Sequence, residues 1–313
     1  METQHEKYLW LINRAKAVQP TVTAVAHPCD ESSLQATIEA ARLGLIEPIL
    51  VGPASRLREV AGRASLDLSP FRQVDSAFSH ESAARAVGLV RSGQAEVLMK
   101  GSLHTDELMA EVVKRDAGLR TARRLSHCFI MDVPGHAEPL IITDAAVNIA
   151  PTLSEKVDIV QNAIDLLRDL GASEIRVAIL SAMETVNPDV PSTLEAAALC
   201  KMADRGQITG ALVDGPLALD NAIDLEAARI KHISSLVAGR ANVLVVPDLE
   251  AGNMLAKSLT FLAGADAAGI VVGAKVPIVL TSRADSRVAR LASCAVASLL
   301  AEARRTSTRR AVG

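Results

Sequence analysis

Short apolar runs alternate with amphipathic stretches along almost the whole chain, which confines it to folds in which strands and helices take turns. Strand-like runs are expected at 22–26, 48–51, 97–99, 128–131, 140–142, 176–180, 211–213, 243–246, 269–272 and 278–280. Between most of them, apolar residues recur three and four apart. The clearest helix is 154–170, with Val157, Ile159, Val160, Ile164, Leu167 and Leu170 on one face and Gly171 as its stop. Repeated β-then-α order predicts an α/β fold with mostly parallel strands. The run 126–143 breaks the rhythm, because Pro134-Gly135 between two apolar segments predicts a hairpin near a domain boundary. No low-complexity linker marks that boundary. Pro151 places it near 148–153, giving a first domain of 1–148 with 287–313 and a second of 149–286. The C-terminal helix, 287–303, is expected to pack back on the first domain.

A chain of 313 residues suffices for two such domains. Aromatic residues make up only 2%, so the core must be built from Ala, Val, Leu and Ile, and stacking platforms for nucleic-acid bases are ruled out. A formal net charge of −3 argues against a general nucleic-acid-binding face but leaves room for a small basic pocket. Cys29, Cys128, Cys200 and Cys294 form no CxxC pair and no zinc spacing, which predicts buried free thiols in a reducing cytoplasm. Residues 1–18 carry early acids and no clean apolar segment, so no signal peptide is expected. No apolar run is long enough to span a membrane. The basic run 304–310 is expected to be a solvated, frayed end.

Five segments place polar residues or glycine directly after an apolar strand, the end at which open α/β sheets bind ligands. In the first, Lys100 and Gly101 precede His104 and Thr105; the glycine lets backbone approach a ligand, and the bland alternative is a surface lysine before a helix. The second carries Thr143 and Asp144, which bind a ligand or cap a turn. The third follows the Asp214-Gly215-Pro216 turn with Asp220 and Asn221. In the fourth a helix is expected to open near Gly252-Asn253, offering N–H groups to an anion, with Lys257 one turn beyond on the same face. The fifth, Thr281-Ser282-Arg283-Ala284-Asp285-Ser286, joins a hydroxyl, a guanidinium and a carboxylate after the run 276–280. Arginine suits phosphate because its planar fork makes paired hydrogen bonds. The bland alternative is an ordinary turn capped by Asp285 or Ser286. Together the five point to a cleft for a phosphorylated ligand. No Walker loop, helix-opening GxGxxG, HExxH or GxSxG accompanies them.

The segments 247–253, 272–277 and 281–286 resemble signatures of the phosphate acetyl/butyryltransferase family. So do Met99-Lys100-Gly101, Val186-Asn187-Pro188, and Gly215-Pro216-Leu217 with Asp220-Asn221-Ala222. Their order agrees, and the likeness runs from about Thr21 to Ala301. The resemblance implies two α/β domains with mostly parallel sheets and an interdomain cleft, similar to the isocitrate/isopropylmalate dehydrogenase-like fold, and a homodimer. It implies the reaction acetyl-CoA plus phosphate giving acetyl phosphate plus CoA, with butyryl as the alternative acyl group. Coenzyme A is then a substrate, with no bound cofactor, no metal and no covalent intermediate. By motif match, Ser282 and Arg283 stabilise the transition state. Acetyltransferase-type relatives carry an acid several residues further on, where this chain has Arg287-Val288-Ala289-Arg290; Asp285 is the nearest carboxylate. Residues 106–113 lack those relatives' arginine, and Lys100 stands in as the positive charge.

Two other classes compete. A decarboxylating dehydrogenase of the related fold needs a carboxylate cluster for a divalent metal, for which Asp214, Asp220 and Asp248 are the scattered candidates. A non-catalytic CoA or acyl phosphate sensor would have lost the base.

Overall fold

The apolar runs become strands almost where the sequence places them. The computed structural model describes residues 6–281 and 285–312. The strands begin with β1 (Thr21–Ala26), β2 (Ile46–Val51), β3 (Arg72–Val74), β4 (Val97–Lys100), β5 (Ser126–Asp132) and β6 (Leu140–Thr143). They continue with β7 (Arg176–Leu180), β8 (Leu212–Leu217), β9 (Val243–Val245), β10 (Asp266–Val272) and β11 (Ile278–Val279). The helices are α1 (Glu6–Ala15), α2 (Glu31–Arg42), α3 (Ala54–Arg63), α4 (Ser79–Arg91), α5 (Thr105–Val112) and α6 (Leu153–Asp169). After them come α7 (Pro191–Asp204), α8 (Leu219–Ile223), α9 (Leu225–Ile230), α10 (Leu249–Leu262) and α11 (Arg287–Val312).

Two compact units result, one of His5–Arg123 with Ala268–Gly313, the other centred on Arg124–Ala267. In the first, the strand order is β3-β2-β1-β4-β11-β10. All of its pairings are parallel except β10 with β11. Ala24, Val25 and Ala26 are fully buried, as a central strand covered on both faces requires. In the second unit the order is β5-β6-β9-β7-β8. Here only the β5–β6 hairpin is antiparallel. Gly135 turns that hairpin with φ 78°, the left-handed region that glycine enters without strain.

The division at Arg124 falls earlier than the boundary suggested by Pro151, which lies inside the second unit between β6 and α6. The cause is pairing: Ile141 to Thr143 of the hairpin bond alongside Val243 to Val245, so β5 and β6 go with the strands that follow. The other division, expected after residue 286, falls at Ala267–Ala268 inside β10.

Local signals explain the helix ends. Thr152 and Glu155 form a reciprocal capping box at the start of α6. Its buried face includes Ile159, Val160, Ile164 and Leu167. Helix α11 runs on to Val312, so the basic tail does not fray at Arg304. Arg305 instead bonds Glu96 at 2.8 Å and Thr21 Oγ1 at 2.8 Å, and Arg304 bonds the Lys275 carbonyl at 2.6 Å. Strand β3 went unforeseen, because its three residues are mostly exposed and carry no apolar run.

With so few aromatics, Tyr8 stands out: it is fully buried on α1, and its hydroxyl accepts a 2.6 Å bond from the Ala268 N–H. Tyr8→Phe keeps the ring and strands a buried donor, at a cost of about 1–3 kcal/mol. Thermal denaturation should show a melting point several degrees lower with an unchanged far-UV spectrum; an unchanged melting point refutes this role for the hydroxyl.

Candidate active site

In the first unit, β1, β4 and β11 are neighbours and parallel, so their C-terminal ends open on one edge. Chain leaving β1 passes His27, and chain leaving β4 begins with Lys100 and Gly101. The two stretches are bound together: Gly101 N–H to the Ala26 carbonyl and Ser102 N–H to the His27 carbonyl, each at 2.9 Å. A Cβ on residue 101 would lie 2.6 Å from Ala26 O and from the His27 carbonyl group. Only glycine allows that crossing. It fixes Lys100, which is buried and whose Nζ donates to the carbonyls of Gly101 and Leu103 at 3.1 Å.

Beside Lys100 lies a cavity of about 320 Å³, walled also by Gly101, Thr281, Arg290 and the first turn of α2. Thr281 is buried and immediately precedes Ser282 and Arg283, which lie outside the described residues. Asp285 is half-buried. The Ser286 hydroxyl accepts the Ala289 N–H at 3.1 Å, so Ser286 caps α11.

A second cavity of about 400 Å³ is lined by His27, Cys29, Arg56, Ser102, His104 and Glu107 among others. His104 is the extended residue before α5, and Thr105 opens that helix with its side chain exposed. Burial, reinforced by Arg56, holds the His27 imidazole below its usual pKa, so neutral imidazole is favoured. Its Nδ1 meets Ser82 Oγ at 2.9 Å.

Thr143 and Asp144 belong to the second unit, where their polar groups face the protein. Thr143 Oγ1 donates to His127 O at 2.8 Å. Asp144 accepts from the backbone of His127, Ala146, Val147 and Asn148 and from the Asn148 side chain. Five donors fill the acceptor capacity of one carboxylate, so Asp144 shapes the 144–148 turn and is not placed to take a ligand.

Gly252 and Asn253 also correct an expectation. Helix α10 starts at Leu249, capped by Asp248, whose carboxylate accepts the Ala251 N–H at 2.8 Å. Gly252 N–H is therefore already spent on the Asp248 carbonyl. The glycine serves packing, since a Cβ there would stand 2.7 Å from Val246 and 2.9 Å from Ala145. Asn253 braces the same turn by donating to Ala145 O at 3.2 Å, and Lys257 is exposed one turn later.

Asp220 and Asn221 do come together, with two residues that the sequence did not single out. Lys231 pairs with Asp220 at 3.1 Å and with Glu184 at 3.2 Å, and Asn221 Nδ2 donates to Glu184. The Lys231 hydrogen bond lowers the Asp220 pKa. Asn221 is fully buried, and its Oδ1 has no hydrogen-bond partner. Glu184 stands just ahead of Val186-Asn187-Pro188, a position that could have flagged it.

Among the described residues, no group of three His, Cys, Asp or Glu side chains could hold a metal. The three scattered aspartates are engaged separately: Asp214 with Gly215 N–H, Asp220 with Lys231, Asp248 with the α10 cap. A carboxylate cluster for a divalent ion is not assembled from them.

Burial pushes the thiol of Cys29 up to about 11 and those of Cys128, Cys200 and Cys294 to about 12. All four stay protonated near neutral pH and are poor nucleophiles. Brief iodoacetamide treatment of the native protein near neutral pH should leave no alkylated cysteine by intact mass and no loss of turnover. Stoichiometric labelling with inactivation would require a reactive thiol that this geometry denies.

Comparisons with known proteins agree on one family. The model of "phosphate acetyl/butaryl transferase" matches residues 73–298. A phosphate acetyltransferase of Rhizobium meliloti is 65% identical over 304 residues, covering 97% of this chain and 96% of that protein. The crystal structure of a branched-chain phosphotransacylase from Enterococcus faecalis V583 superposes with a TM-score of 0.79 at 32% identity, covering 90% of this chain and 99% of that one. A 4-hydroxythreonine-4-phosphate dehydrogenase from Burkholderia phymatum shares the fold alone, with a TM-score of 0.54 at 14% identity, covering 90% of this chain and 98% of that one.

Proposed function

Since this chain belongs to the phosphate acetyl/butyryltransferase family, we propose that it is a CoA-dependent phosphate acyltransferase interconverting acetyl-CoA plus phosphate with acetyl phosphate plus CoA. The observation that carries this is the 65% identity to a phosphate acetyltransferase across nearly the whole of both chains. The cavity walled by Lys100, Thr281 and Arg290 supports it physically. Butyryl is the second acyl group, because the family description spans both.

From acetyl phosphate and CoA, the thiol gives its proton to a base, for which Asp285 is the nearest carboxylate to the Ser-Arg pair. The thiolate attacks the carbonyl carbon, the new C–S bond forms, and the C–O bond to phosphate breaks with its electrons leaving on the phosphate oxygen. Charge grows on the carbonyl oxygen and then on the leaving group. The Arg283 guanidinium and the Ser282 hydroxyl are the donors for that charge, and Lys100 adds a fixed positive charge. Holding both substrates in one ternary complex supplies much of the remaining acceleration. His104, Thr105, Asp220, Asn221 and Lys257 are assigned to CoA; Gly101 and Gly252 shape backbone, while Thr143, Asp144 and Asn253 hold the turn that α10 packs on.

Coenzyme A enters as a substrate, without a resident cofactor. Among the described residues no helix is long and apolar enough to cross a membrane. The four free cysteines fit a reducing cytoplasm. A homodimer is supported by α10, where Met254, Phe261 and Leu262 are 63%, 74% and 86% exposed and, seven and eight residues apart, share one face. Sedimentation equilibrium should read twice the chain mass; a monomer at working concentration removes the dimer from this proposal.

The decisive assay follows thiol release from acetyl-, propionyl- and butyryl-CoA with phosphate, and thioester formation in reverse. Turnover should be fastest with acetyl-CoA. Arg283→Lys should cut turnover at least about a hundredfold, the usual weight of one oxyanion donor, with the melting point unchanged. Asp285→Asn should lower turnover while the KM for CoA stays near wild type. CoA binding without turnover in either direction favours the sensor alternative.

A further inference from the structure

Helix α11 buries every residue from 289 to 301, and in that run Arg290 is the only charge. It sits in the first turn, 7% exposed, where the positive end of the helix dipole opposes a cation. Burying a guanidinium is expensive unless good partners repay it, and packing alone would be better served by an apolar side chain. Its place in the fold suggests the repayment. Arg290 walls the same cavity of about 320 Å³ as Lys100, itself 6% exposed, and Thr281. Across that space stands the first turn of α2, where Ser32 Oγ accepts from Arg290 Nη1. Two acids also line the cavity, and both are engaged along their own helix. Asp30 Oδ1 accepts the Ser33 N–H at 2.7 Å, and Glu31 Oε1 accepts from Gln35 at 2.9 Å.

Two buried cations, the Ser32 hydroxyl and the residue preceding Ser282 thus line, together with the engaged carboxylates of Asp30 and Glu31, a space well above the roughly 30 Å³ that one water occupies. We infer that Arg290 is a second phosphate-binding residue, seating inorganic phosphate or the phosphoryl group of acyl phosphate in this cavity together with Lys100. The inference rests on the acyltransferase reading and adds a residue that its motifs do not include. A fork beside a point charge divides the work: Arg290 makes paired, oriented hydrogen bonds, and Lys100 supplies charge without direction. Ser32 holds the fork at the correct tilt. Arg290 also adds, beside Lys100, positive charge that residues 106–113, without an arginine, do not supply.

A purely structural alternative is a clasp from α11 to α2 through Ser32, and substrate-resolved kinetics separate the two. Arg290→Gln should raise the KM for phosphate and for acetyl phosphate at least about tenfold, the weight of one charge-assisted bond, and leave the KM for acetyl-CoA within about twofold. Arg290→Lys, which keeps the charge and loses the fork, should recover part of the phosphate affinity. Ser32→Ala should shift only the phosphate KM, in the same direction and by less. If Arg290→Gln does not fold, the lysine and Ser32 variants carry the test. Unchanged phosphate KM, or equal rises for both substrates, overturns the inference. Wild-type protein without turnover instead overturns the acyltransferase reading, so the two failures are distinct.

Discussion

The contact on which the site depends is the crossing of two strand ends, where the backbone leaving β4 is bonded directly to the backbone leaving β1. Parallel neighbours usually diverge after their last ladder bond, as each enters its own helix. Here Gly101 and Ser102 extend the bonding past the strand, onto Ala26 and His27. The distance tolerates no side chain at residue 101. That close approach turns Lys100 inward, although lysine rarely accepts burial, and satisfies its ammonium with two backbone carbonyls. Remove the crossing and the lysine has an easier path to water. A backbone contact thereby sets the position of a charge.

Fixed positive charge is what phosphate chemistry needs where, among the described residues, no group of three metal-ligating side chains forms. Donors already aimed at developing charge cost no reorganisation when the reaction occurs, and burial raises their effect above its value in water. Lys100 is anchored at the end of a central strand, and Arg290 by the first turns of two helices. Sheet and helices are the rigid parts of such a fold, so charges mounted on them hold their spacing. The cysteines complement this picture, for burial keeps the thiols protonated and leaves CoA sulfur as the one thiolate the chemistry requires.

Much of the fold was legible because periodicity is local. Apolar runs located every strand except β3, whose pairing with β2 rests on tertiary context and not on its own residues. The hairpin at Pro134-Gly135 was legible for the same reason, but which strands it joins is a long-range fact, and the boundary read from Pro151 followed the wrong cue. Site residues were less legible. A carboxylate after a strand looks alike whether it faces a ligand or its own turn, and Asp144 proves to be the second kind. In α10 the acid Asp248 was the cap, so the helix began one turn before Gly252 and closed the anion site expected there. Arg290 was visible only as a blemish on an apolar stripe, and nothing in the sequence says that such a blemish faces a cavity.

The likeness to a phosphorylated-substrate dehydrogenase shows why fold and function must be argued separately. The two chains share a fold, and at 14% identity that is all the likeness supplies. Metal-dependent chemistry needs several carboxylates converging without other partners. In this chain one aspartate caps a helix, one pairs with Lys231, and one accepts its neighbour's amide. Each engagement removes an oxygen from the pool a divalent ion would draw on. The cavity on the β1–β4–β11 edge is lined instead by Lys100 and Arg290, with Asp30 and Glu31 each hydrogen-bonded along α2. On the proposed reading those two cations face an anion that is present in both directions of acyl transfer, as substrate in one and leaving group in the other. The same charges therefore serve forward and reverse chemistry, and the direction is left to substrate concentrations.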